Sequence, residues 1–232
     1  MIRHLPALSA SITVTPPRQL NKNLYLDINN FSKETAFAHG FMHVYALWLG
    51  LALLTLIFVI LYIMYWFDNI SKITVGLFVG GLGTLLALLA NQFVGKAVRE
   101  KRPYDTFKHA LVLVGKTSDY SFPSDHSVVA GALLTSILMA LYPKKKYLSS
   151  GQSSPDRVRK YSHRTFVTAV AVFLTLFLCF ARVYVGAHYP GDVVAGFLEG
   201  TGIVILISPL RYPLHRLLDK KGFSVLKIFF SR

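Results

Sequence analysis

Cysteine is almost missing from this chain of 232 residues, and acidic charge is scarce. The single Cys179 excludes an internal disulfide framework and any cysteine-based metal cluster. Asp and Glu number 11 against 25 Lys and Arg, and charged residues make up only 16% of the chain. An ordinary soluble domain carries roughly 25%. Hydrophobic residues make up 53%, and the mean hydropathy is +0.46. That excludes disorder, which needs low hydrophobicity, and it excludes a standard cytosolic domain. No internal repeat is visible. The net charge of +14 suits nucleic acid or anionic lipid as a partner; the apolar runs decide for lipid and against nucleic acid.

A bilayer-spanning helix needs about 20 mostly apolar residues. Residues 46–67 and 73–95 carry no charge, and neither do residues 165–181. Residues 127–142 are apolar but short, and reach spanning length only if their helix begins near Ser124. Residues 193–210 carry one charge, Glu199. Open strands cannot cross lipid, because their backbone groups would lack partners. The expected fold is therefore all-α: a polytopic membrane bundle of about five transmembrane helices. Residues 24–39 place Leu24, Ile28, Phe31 and Thr35 at helical spacing. They read either as an amphipathic helix in the interface or as an ordered lead-in to the first span. Residues 1–23 read as a loose tail, and Met1 to Ser11, holding Pro6, lacks the apolar core of a signal peptide. The expected division is residues 1–40 as tail and amphipathic helix, 41–210 as the membrane domain, and 211–232 as a basic tail. Gly76, Gly80, Gly81 and Gly83 in the second run read as helix packing.

Alternating spans put residues 68–72, 143–164 and the C-terminal tail on one side. That side holds fourteen of the Lys and Arg, the other side eleven. Excess Lys and Arg face the cytoplasm, so the other side is expected to face the cell exterior. Three polar clusters fall on that outward side. The first is Lys96, Arg99, Lys101, Arg102 and Pro103. The second is Ser121, Pro123, Ser124, Asp125 and His126. The third is Arg182, Tyr184, His188, Tyr189 and Asp192.

Arginine offers a planar fork of donors matched to phosphate oxygens and stays charged. Pro123-Ser124 before an apolar run reads as a helix start with Ser124 as N-cap, so its free N–H groups form an anion site. His188 stands four residues before Asp192 across a turn, close enough for the carboxylate to hold one ring nitrogen. The other nitrogen is then free as nucleophile or base, and His126 supplies a proton to a leaving group. Together these groups describe phosphoryl transfer to water.

Arg102-Pro103, then Pro123-Ser124-x-His126, then Arg182-x5-His188-x3-Asp192 resembles the type 2 phosphatidic acid phosphatase family over roughly residues 70–210. The variant Phe122-Pro123-Ser124-Asp125-His126-Ser127 looks most like the bacterial undecaprenyl diphosphate phosphatases of the bacitracin-resistance type. The resemblance implies a membrane phosphatase that works without metal or cofactor. It implies that His188 attacks phosphorus, that Asp192 orients it, and that His126 protonates the leaving oxygen. It implies that Arg102, Arg182, Pro123 and the backbone at Ser124 hold the phosphate. Two positions depart from the pattern. The family lysine falls on Gly95, with Lys96 one residue late, a turn of about 100° on a helix; Lys96, Arg99 or Lys101 is expected to replace it. Asp125 stands where the family has glycine, with Lys101 or the substrate as its expected partner.

The expected substrate is a lipid phosphate or diphosphate whose tail stays in the bilayer, first of all undecaprenyl diphosphate. Phosphatidylglycerol phosphate and phosphatidic acid are the alternatives, followed by a non-enzymatic lipid-phosphate binder or transporter. The expected location is the cell membrane, multi-pass, with an outward-facing site; oligomeric state is left open. Glu199 shares a helical face with Asp192 and is a functional or packing candidate. His39 and His43, at i,i+4, have metal-ligand spacing without an evident third ligand.

Overall fold

The structure, a computed structural model, describes residues 17–67, 71–143 and 164–219. Those residues are helical apart from short connections and the longer non-helical segment 107–124. Helix α1 is Pro17–Glu34 and α2 is Ala36–Phe67. Helix α3 is Ser71–Val98, α4 the single turn Pro103–Thr106, and α5 Asp125–Leu141. Helix α6 is Arg164–Tyr184, α7 Pro190–Ile207, and α8 Arg211–Asp219. The four segments Ala36–Phe67, Ile73–Thr106, Arg164–Tyr184 and Pro190–Leu217 are long and apolar enough to cross a bilayer. Helix α5, with 17 residues, is at the lower limit of that range and is the most enclosed. It packs against α2, α3, α6 and α7.

Lipid tails are as apolar as leucine, so close contact rather than the hydrophobic effect holds such helices together. The α5–α7 seam shows this. A Cβ at Gly200 would strike the Val128 carbonyl, and one at Gly131 the Phe197 carbonyl. In α3, Gly80 admits Ser136, and Gly83 faces Val204 and Ile207, as the packing reading expects. At one end of the bundle the Tyr65 hydroxyl donates to the Ala140 carbonyl at 3.2 Å, joining the ends of α2 and α5. At the opposite end lie the start of α2, the end of α3, the start of α5, the end of α6 and the start of α7. All three polar clusters therefore meet at one end of the bundle.

Helix α1 begins at Pro17, not at residue 24, so the expected tail is helical from there onward. It lies across the polar end. Tyr25 is fully buried, stacked on Phe107 at 5.6 Å and edge-on to Tyr189 at 5.4 Å. Asn29 exchanges two hydrogen bonds with the main chain of Leu111, at 2.8 and 2.9 Å. Asn21 Oδ1 accepts the Gly191 N–H at 2.8 Å. The helix thus pins the segments flanking α4 and α7. The expected basic C-terminal tail starts as helix α8. The loops that carry most of the sidedness argument, within 68–70 and 144–163, and residues 220–232 lie outside the described residues, as do residues 1–16.

Candidate active site

His188 sits in the turn between α6 and α7. Gly186, at φ 79°, makes that turn: its backbone is left-handed, and a Cβ there would strike the Leu111 carbonyl. His188 is 2% exposed. Its Nδ1–H donates to the Ser121 carbonyl at 2.8 Å. A carbonyl only accepts, so Nδ1 carries the proton and Nε2 carries the lone pair. That lone pair accepts from Arg182 Nη2 at 3.2 Å and from Arg102 Nη1 at 3.3 Å. Burial, then the charges of Arg182 and Arg102, hold the imidazole pKa well below its ordinary value, against the opposing pull of the Ser121 carbonyl. The ring is neutral, with its lone-pair nitrogen framed by two guanidiniums.

The carboxylate of Asp192 is arranged differently from the expectation. Its Oδ2 is 3.7 Å from Nδ1, too far for a hydrogen bond. It accepts instead the Ser121 hydroxyl at 2.5 Å and the Tyr189 N–H at 2.9 Å. Asp192 is fully buried at the start of α7, where a negative charge suits the helix dipole. Ser121 is therefore the shared strut, with its carbonyl on the histidine and its hydroxyl on the aspartate. Its own N–H donates to the Glu100 carbonyl at 2.8 Å.

Arg182 is 6% exposed, in the last turn of α6. Its Nη1 donates to the Ala46 carbonyl at 3.2 Å, and its buried Nε has no partner. Arg102 precedes α4 and is tied to the carbonyls of Asp119 and Ala187, each at 3.2 Å. Ser124 is the extended N-cap of α5 (φ −78°, ψ 114°). Its buried hydroxyl makes no cap bond and has no partner, so no side chain closes the first-turn N–H groups. Its N–H donates to the Asp192 carbonyl at 3.1 Å, which locks the second cluster to the third. His126 donates its Nε2–H to the Leu47 carbonyl at 3.2 Å and feels the charges of Arg182 and Arg102. Buried Pro123 offers its carbonyl to Asn91 at 3.4 Å.

Two expected residues stand apart. Lys96 is exposed, one residue past the position that faces the site. That position is Gly95, where a Cβ would lie 3.2 Å from the Phe122 carbonyl. Asp125 meets neither Lys101 nor the guanidiniums: Asn91 and Gln92 of α3 donate to its carboxylate. Neutral amides thus hold this carboxylate, which still acts through space on the Arg182 guanidinium. His39 and His43 bond to the carbonyls of Ser32 (2.8 Å) and Leu113 (2.5 Å), which is the structural rather than the metal reading. Glu199 is partly buried, with Oε1 unpartnered. Sequence reasoning quoted Ser121 without giving it a role. It missed Ala46 and Leu47 altogether, since these residues act through main-chain carbonyls.

A family model described as the PAP2 superfamily matches residues 76–216. Similar proteins include the "Bacitracin transport permease protein BcrC" of Bacillus licheniformis, 24% identical over 210 residues, with 87% of each chain covered. Another is the "Undecaprenyl-diphosphatase" of Sulfolobus acidocaldarius, 24% identical over 122 residues, or 53% of this chain. The chain spans 48% of the length of that archaeal relative. Among solved structures, a transmembrane PAP2-type phosphatidylglycerolphosphate phosphatase from Bacillus subtilis shares the fold. Its TM-score is 0.56 at 20% identity, covering 88% of this chain and 90% of that one.

Proposed function

We infer that this chain, which belongs to the PAP2 superfamily, is a membrane lipid phosphatase that hydrolyses undecaprenyl diphosphate to undecaprenyl phosphate and phosphate. One observation carries the reading: the lone pair of a buried neutral imidazole, His188 Nε2, lies between the guanidiniums of Arg102 and Arg182. Phosphate oxygens take over those donors when substrate enters. Nε2 then forms a bond to phosphorus while the bond from phosphorus to the bridging oxygen breaks. His126 gives its proton to the departing oxygen. Water next attacks the phosphohistidine, passing a proton to His126 as its oxygen bonds to phosphorus; the N–P bond breaks, phosphate leaves, and both His188 Nε2 and His126 are restored. Arg102, Arg182 and the N-terminus of α5 stabilise the charge on the transferring group, usually the largest catalytic contribution.

A lipid rather than a soluble phosphate is favoured by the surroundings of His126. An apolar groove of about 620 Å³ runs from His126 along α2, past Trp48, Leu51, Thr55 and Val59. It suits a hydrocarbon tail lying beside a headgroup in the site. The finer choice of undecaprenyl diphosphate is supported by the name of the archaeal relative, by the bacitracin in the name of the Bacillus relative, and by the stretch 122–127. Recycling the cell-wall carrier in this way reduces the target available to bacitracin. The sequence's excess of Lys and Arg in the loops assigned to the other side supports an outward-facing site in the cell membrane.

The test is phosphate release in detergent over undecaprenyl diphosphate, phosphatidylglycerol phosphate and phosphatidic acid. Wild type is expected to prefer the first, with little effect of EDTA, and His188→Ala to release none. Turnover by His188→Ala rejects the nucleophile, and full inhibition by EDTA rejects the metal-free mechanism. Preference for another lipid reassigns the substrate. No release from any of them leaves a lipid-phosphate binder.

A further inference from the structure

Helix α2 does not run as a regular α-helix past the site. At Tyr45–Leu49 it widens by one residue. The Gly50 N–H reaches back five residues to the Tyr45 carbonyl, not four to Ala46. The Ala46 carbonyl is thereby relieved of its α-helical donor, and Arg182 Nη1 donates to it at 3.2 Å. The next carbonyl, Leu47, accepts His126 Nε2–H at 3.2 Å. Two consecutive carbonyls of one wide turn thus hold the buried cation and the proton donor of the site. Such turns concentrate at functional positions because they break the helical ladder locally.

The turn is also fastened. The Tyr45 hydroxyl donates to the Leu174 carbonyl of α6 at 2.9 Å, and its ring meets Phe177 at 4.7 Å. A Cβ at Gly50 would lie 2.9 Å from Leu178 Cδ1 and 3.1 Å from the Tyr45 carbonyl. Leu174, Leu178 and Arg182 follow one another at i,i+4 on α6, so they share the face that meets α2. All these α2 residues precede the region matched by the family model, 76–216.

We propose that the wide turn Tyr45–Leu49 is a positioning element of the phosphatase site. Its Ala46 carbonyl aims Arg182 at the phosphoryl group, and its Leu47 carbonyl keeps the proton on His126 Nε2 until the leaving oxygen displaces it. The role follows from acceptor chemistry: a guanidinium and a ring N–H only donate, and neither carbonyl competes for the phosphate. This inference rests on the phosphatase reading above.

Three variants test it, with kcat, KM and melting temperature measured on the preferred lipid substrate. Gly50→Val drives the turn away from α6, and Tyr45→Phe removes its tether while leaving the ring. Leu54→Ala, fully buried one turn further along α2, opens a cavity without touching the site. Gly50→Val is expected to lose at least about tenfold in kcat, and Tyr45→Phe roughly three- to tenfold, with KM in both within about threefold of wild type. Leu54→Ala is expected to keep kcat within about threefold despite an equal or larger drop in melting temperature. If Gly50→Val does not fold, Tyr45→Phe carries the test. Unchanged kcat in the turn variants overturns the proposal, as does an equal kcat loss in Leu54→Ala. Wild type that releases phosphate from no lipid overturns the function itself, and the positioning role with it.

Discussion

Replacing Asp192 by asparagine separates two ways in which a carboxylate can serve a nucleophilic histidine. If it orients the ring by a hydrogen bond, the amide oxygen of asparagine still does so, and the loss is modest. The geometry argues for the other way. Nδ1–H is already satisfied by the Ser121 carbonyl at 2.8 Å, and Oδ2 lies 3.7 Å from Nδ1. What remains is charge acting through space. At that separation a full negative charge stabilises the cationic imidazole of a phosphohistidine by about 4 kcal/mol, at an effective dielectric constant of about 20. Asparagine keeps the shape and can still accept from the Ser121 hydroxyl and the Tyr189 N–H, but it removes the charge. The expected loss in kcat is therefore roughly 10³-fold. Ser121→Ala retains the carbonyl that holds His188 and removes one hydrogen bond to the carboxylate. That bond contributes about 1.5–3 kcal/mol, so the loss is expected to be about ten- to a hundredfold. Saturation kinetics of phosphate release, with melting curves for each protein, measure both. An Asp192→Asn enzyme within about tenfold of wild type refutes the through-space reasoning.

Two further outcomes follow from the charges. Burial and the guanidiniums of Arg182 and Arg102 depress the His188 pKa, so its protonation limits kcat/KM only well below the ordinary imidazole value of about 6.5. Arg102→Gln removes one depressing charge, raises that pKa, and moves the acid limb of the pH profile to higher pH; a limb that stays or moves lower contradicts the assignment. Asp125→Asn alters a side chain held by Asn91 and Gln92 and not hydrogen-bonded to either guanidinium, so kcat is expected within about threefold of wild type; a larger loss at unchanged melting temperature places Asp125 on the substrate.

The bundle was legible because lipid imposes a simple rule on sequence: uncharged runs of spanning length mark the helices. The end-on gathering of Arg102, Ser124, His126, Arg182, His188 and Asp192 was legible for a related reason. Alternating spans leave only two ends, and polar residues at the ends of apolar runs must share one. The partners of these side chains were not legible. Ala46 and Leu47 act through carbonyls, which every residue possesses, so side-chain identity carries no signal for them; Ser121 holds His188 through its carbonyl and shows only its hydroxyl to a reader of the sequence. The start of α1 was misplaced because its apolar spacing is weak before Leu24. Its contact there runs through Asn21, whose side chain accepts the Gly191 N–H and which reads as a surface residue in isolation. Asp125 was undecided because its partners, Asn91 and Gln92, look like ordinary polar residues within the second span.

The balance of charge at the site explains why it is built from main-chain acceptors. Among the described residues, no carboxylate lies within ion-pair distance of Arg102 or Arg182; Asp192 approaches instead the neutral ring of His188, at 3.7 Å. A carboxylate on either guanidinium would neutralise it and compete with the incoming phosphate. Carbonyls of Ala46, Asp119 and Ala187 fix the guanidiniums without cancelling their charge. A cation buried at the membrane boundary without a counter-ion is costly, and the cost is offset when a phosphoryl dianion enters. Burial and the same uncancelled charge hold His188 neutral beforehand. Affinity for the anion and readiness of the nucleophile thus come from one arrangement, and the one carboxylate admitted to it, Asp192, is held by Ser121 and Tyr189, away from the guanidiniums.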